Sequence, residues 1–345
     1  MKILRLSLPK SGRCDAIDRI KLIAIIAVIL LHAIPETWLY RLLAQFHIWQ
    51  AVPLFMMLAG VTASFSELRR STQSPPTPLD ALDLLRRMRR IVIPFTIVWA
   101  IQVSIIAAFG SFDSQADWLS SWFRGGYGPG SYFIPVYLQH LVVFPIVSAL
   151  DRKTSHANIA LRVVFWLALS LAIDYACLLF SMPDWLYRVF YGRYLFAVVL
   201  GIWLVRESLP MVVFGLGLLV GVLYITAVTG LGWIPSFAYP SWIQQHAPAF
   251  FYTAAVFLVL WHAPILVQRI SQPMLLLGRA SYHIFLVQML YFWRLHGPLT
   301  GLMGSRLLSL LAALVICCSL GTLFYLCEKR LERLMEKRVG NPAAH

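Results

Sequence analysis

A chain of 345 residues that is 59% hydrophobic and only 13% charged, with a mean hydropathy of +0.73, is not a soluble globular protein; such proteins carry about 25% charged residues. Apolar runs of roughly 17 to 25 residues recur along its length, each able to cross a hydrocarbon core of about 30 Å as a helix, so it reads as an all-α polytopic membrane protein. The formal net charge of +14 would suggest nucleic acid in a soluble chain, but here the positive residues follow membrane topology and no nucleic-acid partner is expected.

In chain order the expected spans cover 19–35, 47–65, 91–110, 131–150, 158–180, 190–205, 210–230, 247–266, 280–297 and 303–327, about ten transmembrane helices. The whole chain, 1–345, is read as one membrane domain with a core over about 19–327 and a short basic tail over 328–345. With a cytoplasmic N-terminus, only Arg41, Arg124, Arg188, Arg193, Arg294 and Arg306 fall outside, against 23 of the 29 lysines and arginines inside. Both termini are therefore expected to be cytoplasmic, in a multi-pass protein of the inner (cytoplasmic) cell membrane. The first run has a long polar lead, contains His32 and lacks an A-x-A cleavage site, so it is read as a retained helix. The five cysteines are odd in number and lack CxxC spacing, which argues against a disulfide framework or a zinc site.

His32 is the first candidate for chemistry. An ionisable side chain deep in a span is costly and usually faces a cavity, a partner or a substrate path. Imidazole can take a proton from an attacking hydroxyl near neutral pH; the bland alternative is a neutral histidine bonded to a neighbouring helix. The next candidate is the cluster Arg86, Arg87, Arg89 and Arg90 at the mouth of the third span, on the same face as Lys21. Topology alone accounts for such a cluster, yet guanidinium forks also fit the phosphates of a nucleotide-like donor. Pro94 is expected near the start of its helix, where a missing N–H costs nothing. Residues 79–90 are expected to form a short basic helix after the Pro-rich piece at 74–78.

Further along, the Gly-rich stretch 125–130 lacks the Gly-Lys-Ser/Thr ending of a nucleotide P-loop and is expected to be a re-entrant or capping loop. Trp118, Trp122, Tyr127 and Tyr132 cluster on the outer side, as an interfacial belt or as faces for sugar rings. Gly217 and Gly221 read as helix packing. Asp174 and Arg193 read as an internal ion pair or as acceptor contacts, and Glu36 could orient the His32 ring across the turn that Pro35 disturbs.

Several segments together resemble the acyltransferase 3 family of integral-membrane acyltransferases. They are Asp18-x-x-Lys21-x10-His32, Val52-Pro53-Leu54-Phe55-Met56-Met57-Leu58-Ala59-Gly60, Arg87-x-x-Arg90-Ile91-Val92-Ile93-Pro94, Ser131-Tyr132-Phe133-Ile134-Pro135, and Leu277-Gly278-Arg279-Ala280-Ser281-Tyr282 running to Gln288. The resemblance implies a ten-helix enzyme that transfers an acyl group, commonly acetyl, from cytosolic acyl-CoA to a hydroxyl of a carbohydrate acceptor, often lipid-linked or exported. No cofactor is held permanently; acyl-CoA is a co-substrate. By the same resemblance His32 is the catalytic histidine, and Lys21, Arg87 and Arg90 match donor-side positions; Arg86, their neighbour in the cluster, is expected to bind the donor with them. Glu36, Asp174, Arg193, Tyr132 and Tyr282 are acceptor-side or structural candidates. Lys21 stands where the family usually has arginine, and Gln288 where many members have histidine. The competing class is a proton-coupled transporter or flippase of a glycan or lipid-linked precursor, with His32 and Asp174 as its relay.

Overall fold

The computed structural model describes residues 3, 4, 6, 14–73, 81–109, 115–207, 209–262 and 272–339. The Pro-rich piece at 74–78 and the basic residues Lys2, Arg5, Lys10, Arg13 and Arg269 lie outside the described residues. A two-residue ladder pairs β1 (Ile3–Leu4) antiparallel with β2 (Leu209–Pro210); the remaining elements are helices. They are α1 (Asp15–Ala33), α2 (Glu36–Arg41), α3 (Ala51–Gln73), α4 (Ala81–Phe109), α5 (Gln115–Phe123), α6 (Phe133–Lys153), α7 (Ile159–Leu179) and α8 (Asp184–Val189). The second half holds α9 (Leu195–Arg206), α10 (Met211–Gly230), α11 (Phe250–His262), α12 (Gln272–Arg279), α13 (Ser281–Leu290), α14 (His296–Met303) and α15 (Arg306–Val339).

Among the described residues, six segments are long and apolar enough to cross a membrane: Ala44–Arg70, α4, α6, α7, α10 and Arg306–Met335 of α15. A seventh follows if α12 and Ser281–Met303, bent by 65°, form one span. The chain is thus an all-α membrane protein. The other three expected spans are helical but fall short of that measure. α1 carries Asp15, Asp18, Arg19 and Lys21 in its first two turns, α9 has only 12 residues, and α11 is described for 13 residues up to His262, where the described residues stop.

α9 explains why composition overstates its reach. Every residue from Leu195 to Val205 is buried, so the helix is apolar because protein surrounds it, not because it must cross a bilayer. It lies so close to α3 that a Cβ on Gly201 would stand 2.4 Å from the Met57 carbonyl oxygen, and one on Gly60 would stand 2.4 Å from that of Val198. Without a hydrophobic driving force between helices in lipid, such close backbone contact is how small residues join helices. Gly217 and Gly221 do the same for α10, against Phe251 and the Pro248 carbonyl.

At the end of the bundle where α3 and α6 finish, polar side chains are paired. Arg162, 2% exposed, lies 2.8 Å from Asp151 and 2.9 Å from Glu207, and Trp203 Nε1 also donates to Asp151 at 2.8 Å. Glu67 takes Arg206 and the Ser148 hydroxyl. Arg162 and Arg206, which charge counting treats as topology signals, are therefore clamps between α6, α7, α9 and α3.

Two helix features depart from expectation. α4 starts at Ala81 and runs without a break, so Pro94 is internal to it and not in a first turn. The missing proline N–H leaves the Arg90 carbonyl without its intrahelical donor, and one residue on, the Tyr282 hydroxyl donates to the Ile91 carbonyl at 2.8 Å. α1 ends at Ala33 because Ile34, preceding Pro35, is extended (φ −95°, ψ 130°), as residues before proline prefer.

Candidate active site

A cavity of about 810 Å³ lies against α1, α3, α8 and α13 and under the Gly-rich turn. That turn is an inward-folded cap. Gly125, Gly126, Gly128 and Gly130 all have φ between 83° and 102°, a region L side chains rarely adopt. Gln102 of α4 holds the backbone of Tyr127 on both sides of its Cα, donating to its carbonyl at 2.7 Å and accepting from its N–H at 3.0 Å. Gln288 of α13, fully buried, donates to the Pro129 carbonyl at 3.1 Å. Gln288 therefore fastens the cap.

His32 lines this cavity from the last turn of α1. Its ring packs against Phe292 with centroids 5.7 Å apart, and it makes no hydrogen bond to a described residue. Among the described residues the imidazole is thus positioned by packing, with neither ring nitrogen in a hydrogen bond. Phe292 projects from a π-helical turn, Tyr291–Leu295, which also stacks Trp293 on Tyr127 of the cap at 5.4 Å. Single π turns inside helices recur at functional sites. No periodicity in the sequence announces this one.

Lys21 lines the same cavity, 11 residues before His32, or about 16 Å along the helix axis. Beside it is Arg279 of α12, whose guanidinium lies 3.2 Å from the buried Asp18 carboxylate. Arg279 counts in the sequence only toward topology; its signal is the family-like segment ending in Tyr282, which also lines the cavity. Arg86, Arg87 and Arg90 are not among the lining residues. Arg87 is half-buried and pairs with Asp83 at 3.1 Å, while Arg86 and Arg90 are exposed on α4. Ile91, next along the helix, does line the cavity, so the cluster stands at its edge.

Of the acceptor-side candidates, Tyr132 and Tyr282 line the cavity. Glu36 does not: the break at Ile34–Pro35 sends it into α2, where it is exposed, and the turn that would have carried it back to His32 is absent. Asp174 and Arg193 do not form an ion pair within 4 Å. Asp174 accepts from the Tyr187 hydroxyl at 2.5 Å and the Tyr239 N–H at 3.2 Å, with His246 Nδ1 at 3.6 Å. The guanidinium of Arg193 lies over the rings of Tyr187, Tyr194 and Trp242 at 4.8, 4.9 and 5.8 Å. The outer aromatic cluster divides: Tyr127 and Tyr132 face the cavity, whereas Trp122 packs on Phe95 and donates to Thr96.

The geometry defines a cavity among candidate membrane-spanning helices, with an imidazole on its wall and cations along it. The acyltransferase 3 family model, described as an acyltransferase domain, matches residues 15–326, and the chain belongs to that family. It is accordingly a membrane acyltransferase. No curated protein and no solved structure gives a significant match.

Proposed function

We propose that this protein transfers an acyl group, acetyl in the simplest case, from cytosolic acyl-CoA to a hydroxyl of a cell-surface or exported carbohydrate, with His32 as general base. The donor phosphates rest near Lys21 and Arg279, with Arg86, Arg87 and Arg90 at the rim, and the thioester reaches along α1. The acceptor enters beneath the Gly-rich cap. As the hydroxyl oxygen bonds to the thioester carbonyl carbon, its proton passes to the neutral imidazole. The tetrahedral intermediate then collapses, the carbon–sulfur bond breaks, and the imidazolium returns the proton to the departing thiolate. An ester and free coenzyme thiol result.

The observation that carries this reading is the placement of His32: on the cavity wall, packed on Phe292, and with no hydrogen bond from its ring to a described residue. A proton relay through His32 and Asp174, which a transporter would use, has less support. Asp174 is committed to Tyr187, Tyr239 and His246 and is not among the cavity's lining residues. The test uses membranes carrying the full chain, radiolabelled acetyl-CoA and glycan fractions. Label enters glycan with the native protein and not with His32→Ala present at equal abundance; near-normal incorporation by His32→Ala overturns the assignment.

A further inference from the structure

Resting on that reading of His32, we propose that the acceptor is an anionic carbohydrate, whose carboxylate or phosphate is held by Arg124 and Arg188. These two arginines and three aromatic residues form one continuous stretch of the cavity wall at the capped end. The Arg124 guanidinium lies 4.5 Å from the centroid of the Trp185 ring, Arg188 follows Trp185 by one helical turn and lies 5.8 Å from that of Trp242, and Trp242 packs on Tyr132 at 5.8 Å. Aromatic faces offer apolar surface to sugar rings, and guanidinium forks bind carboxylate or phosphate in a bidentate manner.

Cations outnumber carboxylates along the described lining of the cavity. Among the described residues that line it there are four cations, Lys21, Arg124, Arg188 and Arg279, and no aspartate or glutamate. Arg188 meets Asp184 at 2.7 Å, but Asp184 is not a lining residue and also accepts from Ser241 at 2.6 Å. Arg124 has no carboxylate partner among the described residues. Against the same Trp242 ring lies Arg193, only 4% exposed, with all three guanidinium nitrogens lacking a hydrogen-bond partner among the described residues. A membrane-interface belt accounts for exposed arginine and tryptophan, but not for a buried, hydrogen-bond-free guanidinium behind them. Asp174, which accepts from the Tyr187 hydroxyl under the same guanidinium, answers part of this charge; in low dielectric the remainder adds to the potential at the wall, which favours an anion and gives nothing to a neutral sugar.

Equilibrium binding to detergent-purified, full-length His32→Ala protein tests this without turnover. The probes are a hexuronic-acid oligosaccharide, its carboxyl-reduced neutral counterpart, and a polyprenyl-phosphate-linked neutral sugar. One of the two anionic probes binds at least tenfold more tightly than the neutral oligosaccharide, and its identity decides between carboxylate and phosphate. The preference falls with added salt and is lost when Arg124→Gln and Arg188→Gln are added. Arg124 is exposed and its side chain makes no hydrogen bond to a described residue, so Arg124→Gln alone serves if the combined variant does not fold. Equal binding of the neutral oligosaccharide, or an undiminished preference in the glutamine variants, overturns the proposal. Acetyl transfer by the native protein is measured in parallel. An anion preference without transfer refutes acyl transfer alone, and transfer without an anion preference refutes this proposal alone.

Discussion

Replacing Gly201 by alanine adds one carbon at the tightest point between α9 and α3. The new Cβ would meet the Met57 carbonyl oxygen at 2.4 Å and the Val61 nitrogen at 3.1 Å, both backbone atoms that no rotamer change can move aside. Side-chain carbons essentially never approach closer than 3.0 Å, so α3 must retreat by at least 0.6 Å. Overpacking of this kind costs about 1–3 kcal/mol, offset by the roughly 1 kcal/mol that alanine gains over glycine in any helix. Gly215→Ala in α10 isolates the second effect, because a Cβ there meets nothing within 4 Å. The propensity gain is common to both variants, so their difference in stability is about 1–3 kcal/mol. α3 also supplies Phe55, Leu58, Ala59 and Thr62 to the cavity wall. A misplacement of about 1 Å can cost on the order of a hundredfold in rate, so a shift of this size lowers acyl transfer by about tenfold. Thermal unfolding in detergent and transfer of radiolabelled acetyl, run on both variants, measure the two effects. If Gly201→Ala matches Gly215→Ala in melting temperature and activity, the close-packed seam does not position the cavity.

Two further outcomes follow from buried hydrogen bonds. Gln288→Leu leaves the Pro129 carbonyl without its donor, a loss of about 1–3 kcal/mol, and loosens the cap; release of free thiol from acyl-CoA without acceptor rises relative to transfer. Gln288→His, which keeps an N–H donor, restores the ratio, and a leucine variant with unchanged thiol release removes the cap from the mechanism. Arg162→Met strips Asp151 of its buried partner and lowers stability by about 3–5 kcal/mol, read as loss of folded protein in detergent. Arg152→Met, whose side chain is 57% exposed and 3.5 Å from Glu67, changes it by less than about 1 kcal/mol.

What the sequence disclosed divides along physical lines. The ten apolar runs are all largely helical, because hydropathy reports what surrounds a residue. It does not report whether the surroundings are lipid or protein, and α9 falls short for that reason. His32 and Lys21 were legible because ionisable groups in apolar runs are conspicuous. Gln102 and Gln288 carried the same signal, since an amide in an apolar run must find a partner, but only the fold shows that both partners are in the cap. Arg279 and Arg188 were legible as charges and not as wall residues, because lining a cavity depends on which helices meet. Glu36 illustrates the limit of spacing arguments: four residues separate it from His32, but the extended Ile34 before Pro35 removes the helical turn that would have joined them.

The depth at which α3 sits has a consequence for the enzyme's surroundings. In the most apolar stretch of Ala44–Arg70, 83% of residues are buried, against 22% for those of α4, α7 and α15. Bilayers of different thickness are accommodated by tilting or bending helices that touch lipid. Here the outer helices take that adjustment, while the α3–α9 column is shielded from it. Acyl transfer in thin and thick bilayers should then differ little, so the enzyme can work in membranes whose lipid composition varies.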